Sequence, residues 1–113
     1  MVGTVSTPLT ISISKQFAKT PGPRYEWQGQ KSGQEFLETL LKPQFLAAEK
    51  AKQKLVVDLD GTEGYSTAFL DGSFGELGRE FGYDRVVASL VLITTDEPYL
   101  ETEIKIYMRQ SSR

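Results

Sequence analysis

A chain of 113 residues with 39% hydrophobic and 25% charged residues has the make-up of one ordinary globular domain, large enough to bury a core without covalent staples. Its 13 Lys and Arg stand against 15 Asp and Glu, a formal charge of −2, so nothing in the balance asks for a nucleic-acid or anionic-membrane partner. With no cysteine and no histidine, disulfides, thiolate nucleophiles, imidazole bases and the usual zinc sites are excluded together. No apolar run is long enough to span a membrane, and the Met1–Leu9 start carries no signal-peptide pattern. The expectation is a cytoplasmic single domain over residues 1–113, its core within about residues 9–108.

Leu9, Ile11 and Ile13 alternate with Thr10, Ser12 and Ser14, the period of a half-exposed strand. Phe17 extends that element or plugs its end. The following KTPGPRYEWQGQ carries two prolines and two glycines and reads as loop. It holds Arg24, Tyr25 and the only tryptophan, Trp27. Aromatics beside an arginine suit the rim of a binding surface. The commoner outcome, and the expectation taken, is a loop that folds its aromatics back over the core edge.

Ser32-Gly33-Gln34-Glu35 has the form of a capping box and opens a helix. Leu37, Leu41, Phe45 and Ala48 supply its buried stripe, with Phe36 and Leu40 beside it. Pro43 should kink this helix or split it in two. Lys50, Lys52 and Lys54 mark a solvated exit, too few and too mixed with glutamate for a nucleic-acid patch.

Leu55, Val56, Val57 and Leu59 form a buried strand ending in Asp58 and Asp60. Gly61 and Gly64 punctuate, and Ser66 and Thr67 are placed to cap the next helix. Leu70, Phe74, Leu77 and Phe81 then recur as one apolar helical stripe, stopped by Gly82. Ala68, Gly72, Gly75 and Arg79 share a second face of this Thr67–Phe81 helix. Each interior glycine costs about 1 kcal/mol relative to alanine, so Gly72, Gly75 and Gly78 forgo roughly 2–3 kcal/mol. Close approach of another backbone is the reason to expect. A second element of the same chain and a partner protein fit equally well.

Gly82-Tyr83-Asp84-Arg85 should turn the chain into a strand over Leu90 to Ile93, with a start as early as Val86 left open. Asp96 can cap a last helix with Pro98 in its first turn. Leu100, Ile104, Tyr107 and Met108 give its stripe, and Glu101 and Lys105 an i, i+4 pair. Ile104, Ile106 and Met108 also allow a strand. The tail Gln110–Arg113 should be loose. Strands alternating with helices place the chain in the α/β class, a small mixed β-sheet with helices packed against it. The functional end of such a sheet lies where strands hand over to helices, here Asp60 to Phe69.

Two readings compete at that end. Asp58-Leu59-Asp60-Gly61-Thr62 resembles the first motif of the haloacid dehalogenase-like phosphatases. In that alternative Asp58 attacks phosphorus, Asp60 is general acid/base, and Mg²⁺ sits between them. The motif lies past the midpoint of the chain, and only Lys105 and Asp96-Glu97 are available downstream as further machinery. The non-catalytic counterpart is a pair of strand-end acids that order the following turn, and a chain that is not an enzyme is the expectation taken.

Across TPGPRY, SGQEFLETLLKP and LVVDLDGTEGYSTAFLDGSFGEL, the chain resembles the STAS-like domain family of unknown function, related to the anti-anti-sigma factors. The resemblance implies a STAS-like fold and a regulatory protein-binding switch with neither cofactor nor metal. In anti-anti-sigma proteins a serine at the start of the corresponding helix is phosphorylated by a histidine-kinase-type ATPase, and the unmodified form binds that ATPase and releases a sigma factor. Here Ala68 falls at the usual acceptor position, leaving Thr67 or Ser66 as substitutes, or an unregulated binder with no acceptor. Gly72 stands where the family tends to have Glu. Ser66 and Thr67 equally fit plain helix capping. The expected partner surface is Ser66, Thr67, Ala68, Phe69, Gly72, Gly75 and Arg79, with Arg24–Trp27 as a rim. The class of partner is a histidine-kinase-type ATPase or a sigma-factor regulator.

Overall fold

The computed structural model describes residues 9–110; the expectations for the start of the chain and for its last three residues lie outside the described residues. Three short β-branched runs build the sheet: β1 (Leu9–Ser12), β2 (Leu55–Asp58) and β3 (Leu90–Ile93), in the order β1-β2-β3. Both pairings are parallel, aligning Leu9, Leu55 and Leu90 at one end and Ser12, Asp58 and Ile93 at the other. The expected α/β class holds. Among the described residues, however, the sheet is wholly parallel and not mixed, because helices intervene between successive strands and carry the chain back to the same end.

Among the described residues the α- and π-helical turns gather into five stretches. After the single turn α1 (Ile13–Gln16) come α2 (residues 33–50), α3 (residues 67–81), α4 (Tyr83–Ser89) and α5 (Tyr99–Arg109). Both long helices widen into a π-turn midway, Leu37–Leu41 in α2 and Asp71–Gly75 in α3. The core is aromatic at its centre: Phe36 is wholly buried and touches the rings of Phe17, Phe69 and Phe74 at 5.3, 5.8 and 6.0 Å. Val57 from the sheet, Leu77 from α3 and Ile104 from α5 are also fully buried in this core. Such a core is the main driving term for a domain of this size.

Four local expectations are corrected. Pro43 does not interrupt the helical run of α2: the Lys42 N–H reaches back to the Leu37 carbonyl through the π-turn, and the proline falls in the first turn of the α-helical segment that follows, where its missing N–H is tolerated. The stretch after Gly82 is not a plain turn or an early strand. Gly82 takes φ 98°, and Tyr83–Ser89 winds into α4, burying Val86 against the core while Arg85 bonds Glu49 of α2 through two 2.7 Å contacts. Asp96 does not cap α5, whose N-cap is Pro98 without a side-chain bond, because its carboxylate is turned toward Gly61. The small-residue face of α3 is internal. A Cβ on Gly78 would fall 2.6 Å from the Met108 carbonyl oxygen of α5, and one on Gly72 2.8 Å from Cγ of Arg24. One on Gly75 would collide with the Asp71 carboxylate. The π-turn adds a residue to the helical repeat at this point, so the face drawn at 3.6 residues per turn does not stay on one side.

Gly78→Ala tests that packing. On an exposed helix the change would stabilise by about 1 kcal/mol. Here α5 must shift its backbone, and the net expectation is a loss of about 1–3 kcal/mol, read as a lower urea midpoint at unchanged slope. A midpoint at or above wild type would mean that α5 does not press on α3 at Met108.

Candidate functional site

At the C-terminal end of β2 the acids order loops. The Asp58 carboxylate accepts from the Asp60 N–H at 3.0 Å, Asp60 accepts from the Asp96 N–H at 2.8 Å, and Asp96 accepts from the Gly61 N–H at 3.0 Å. These bonds staple the connection after β2 to the connection after β3. The Tyr65 hydroxyl donates to the Leu59 carbonyl at 2.8 Å, and burial pushes its phenol well above the ordinary range. Lys105 is held by Glu101 at 3.1 Å on α5. Among the described residues no three acidic side chains converge in a way that would hold a metal ion.

The start of α3 is open at two of the expected positions. Ser66 is the N-cap: its hydroxyl oxygen accepts from the Phe69 N–H at 3.0 Å and donates to the Gly22 carbonyl at 3.4 Å. Thr67 is exposed and Ala68 half-buried. The other expected partner residues turn inward. Phe69, Gly72 and Gly75 are buried, and the Arg79 side chain is only 9% exposed. Phe69 lies among the rings of Phe17, Phe36 and Tyr65. As a surface, the predicted set is therefore reduced to Ser66, Thr67 and the edge of Ala68.

What the sequence reading placed in the core edge lies in solvent instead. The loop between α1 and α2 closes on itself where the Gly22 N–H donates to the Lys31 carbonyl at 2.8 Å. Its neck is tied to the first turn of α2 by the Gly33 and Gln34 N–H groups, which donate to the carbonyls of Pro23 and Arg24 at 2.7 and 2.9 Å. The tip is a 3₁₀ turn, Glu26–Gln28, entered from Tyr25. Tyr25 and Trp27 stack with planes 12° apart and centroids 6.1 Å apart, at 41% and 81% exposure. They face outward because the closed neck fixes the loop's direction and Phe17 already covers the edge of the core.

An ion-pair ladder joins this loop to α3. Arg24 bonds Asp71, whose other oxygen accepts from Arg79 at 2.9 Å; Arg79 also reaches the Asp71 carbonyl at 3.1 Å and Glu76 at 3.0 Å. Burial pushes the Asp71 carboxyl up, but the hydrogen bonds and charges of Arg24 and Arg79 outweigh it and hold the group below its ordinary 3.8. The Arg24 stem crosses α3 where Gly72 leaves room for it. Sequence reasoning named Arg24, Gly72 and Arg79 separately and missed Asp71, which connects them; a pair 47 positions apart leaves no periodic trace.

A family model described as a STAS-like domain of unknown function (DUF4325) matches residues 32–100, more than half of the chain. No curated protein and no solved structure matches it.

The ladder makes a pH prediction. Because the folded Asp71 carboxyl lies below 3.8, its contribution to stability is present above that value and is lost as pH falls through the folded value. Asp71→Asn should therefore cost about 2–3 kcal/mol near neutral pH, and the gap to wild type should narrow steadily below pH 3.8. Urea melts at neutral pH and at about pH 3 measure both. A gap independent of pH would show that the carboxylate's charge does not hold the ladder.

Proposed function

We propose that this chain, which belongs to the family of STAS-like domains of unknown function, is a regulatory module that works by binding another protein and not by catalysis. One observation carries the surface: Trp27 is 81% exposed on a loop whose neck is fixed by hydrogen bonds and an ion pair. Holding a large aromatic in water forgoes about 2–3 kcal/mol of burial. Aromatic anchors on pre-ordered backbone are what interface hot spots are made of. The Ser66–Gly22 bond and the Arg24–Asp71 pair set the neck of this loop against the start of α3. Tyr25, Trp27 and Thr67 therefore belong to one candidate surface.

The partner class is carried by the resemblance to anti-anti-sigma factors: a histidine-kinase-type ATPase or a sigma-factor regulator. Of the two hydroxyls, Thr67 is the better phospho-acceptor, because Ser66 is already committed to the cap and to Gly22. A phosphate on Thr67 suits the N-terminal end of α3 electrostatically while adding charge and bulk to the surface that a partner would cover. The turn-ordering bonds of Asp58 and Asp60 support the non-catalytic reading. The Arg24–Asp71–Arg79 contacts behind Gly72 and Gly75 support a surface at the rim of α3 and not on its glycine face.

Capture from native host lysate tests this, with Trp27→Ala and Thr67→Glu beside wild type. Both positions are exposed, so the variants should melt like wild type. Wild type should retain an ATPase or sigma-regulating protein, and each variant should lose at least about tenfold of it, since a hot-spot aromatic is worth roughly 2 kcal/mol or more. Equal recovery by all three would move the surface elsewhere. Mg²⁺-dependent release of phosphate from a phosphoester, abolished by Asp58→Asn, would overturn the non-catalytic reading.

A further inference from the structure

β3 is one edge of the sheet, and among the described residues no strand pairs with its outer side. The Leu59 N–H donates to the Ile93 carbonyl at 2.9 Å, so Ile93 faces β2. Peptide groups alternate along a strand, and the N–H and carbonyl of Leu92 consequently point away from the sheet. The strand reads Leu90-Val91-Leu92-Ile93, without the lysine, proline or bulge that usually guards a free edge. Val91 is 42% exposed. A cleft of about 260 Å³ runs between this edge and α5, lined by Val87, Leu90, Leu92 and Met108 with Glu101 and Lys105 on its α5 wall.

We propose that this edge is the contact surface for a second copy of the same chain, the two β3 strands pairing antiparallel about a two-fold axis at Leu92. In that register Leu92 of each copy exchanges both of its backbone hydrogen bonds with Leu92 of the other, the hydrogen-bonded pair of an antiparallel ladder. Two three-stranded sheets become one of six strands.

The charge pattern of α5 selects a second copy as the occupant. Glu101 and Glu103 lie in its first half, Lys105 and Arg109 in its second. A two-fold axis sets any element lying along the strand antiparallel to its image. Glu101 of one α5 then lies toward Lys105 of the other, so this pair on the cleft wall meets its complement twice. The surface is self-complementary in both hydrogen bonding and charge.

Sedimentation of the full chain over a wide concentration range tests the proposal. Wild type should shift from the 12.6 kDa of one chain to twice that mass. Glu101→Lys and Lys105→Glu, on side chains 46% and 37% exposed, should keep the native circular dichroism and melt. Each alone should associate at least tenfold more weakly. Mixed together they should restore the dimer, because each variant then presents the charge that the other lacks. A single-chain mass at every concentration, a dimer indifferent to both reversals, or a failure to recover on mixing would each overturn it.

Discussion

The carboxylate of Asp71 is the point on which the placement of the aromatic loop depends. It sits between Arg24, from a loop, and Arg79, about two turns along its own helix, and the Arg24 stem can lie across α3 only because Gly72 has no side chain. Around that crossing the loop is tied to the first turn of α2, to the Ser66 hydroxyl and, through Lys19 and Thr20, to Glu63. A partly buried ion pair of this kind adds little net stability once desolvation is counted. The buried Arg79 Nε, which has no hydrogen-bond partner among the described residues, makes the balance less favourable still. The ladder's contribution is positional: it decides where the aromatic loop stands relative to α3.

The glycines of α3 follow the same logic. Their cost in helix propensity is offset by what lies against them: the Arg24 stem at Gly72, the ion pair at Gly75 and the α5 backbone at Gly78. Gly33 lets α2 approach from another side, since a Cβ there would stand 2.5 Å from the Phe69 carbonyl oxygen. Ser73 fits this crowded place by turning its hydroxyl back to the Phe69 carbonyl at 2.8 Å within the π-turn. Flatness on this helix serves the inside of the molecule, which leaves its first turn and the neighbouring loop to face outward.

Much of the architecture could be read from local chemistry. The apolar run from Leu55, the caps at Ser32 and Ser66, the Glu101–Lys105 pair and the first four residues of the alternation read over Leu9–Ser14 reappear as read, while Ile13 and Ser14 leave the strand for the turn of α1. In each case neighbours in sequence are also the physical partners. The misreadings share the opposite property. Val86 and Val87 carry strand propensity, yet the burial of Val86 on the inner face of α4 wins. Asp96 has the chemistry of a helix cap but finds the Gly61 N–H on another connection. Trp27 was expected to seek the core, which Phe17 had already closed. The candidate surface was thus half legible: Ser66 and Thr67 from the helix start, and the aromatic loop only as a rim.

The central claim is that the Arg24–Asp71 pair fixes the aromatic loop on α3 without holding up the core. Amide hydrogen exchange in Arg24→Met tests it most directly, because methionine keeps an unbranched stem over Gly72 and removes the guanidinium with its charge and its bond to Asp71. The account predicts exchange at least about tenfold faster at Gly22, Gly33 and Gln34, whose N–H groups close the loop neck, with the amides of β2 and β3 protected as in wild type. Unchanged protection at the neck, or a uniform loss across loop and sheet alike, would contradict it.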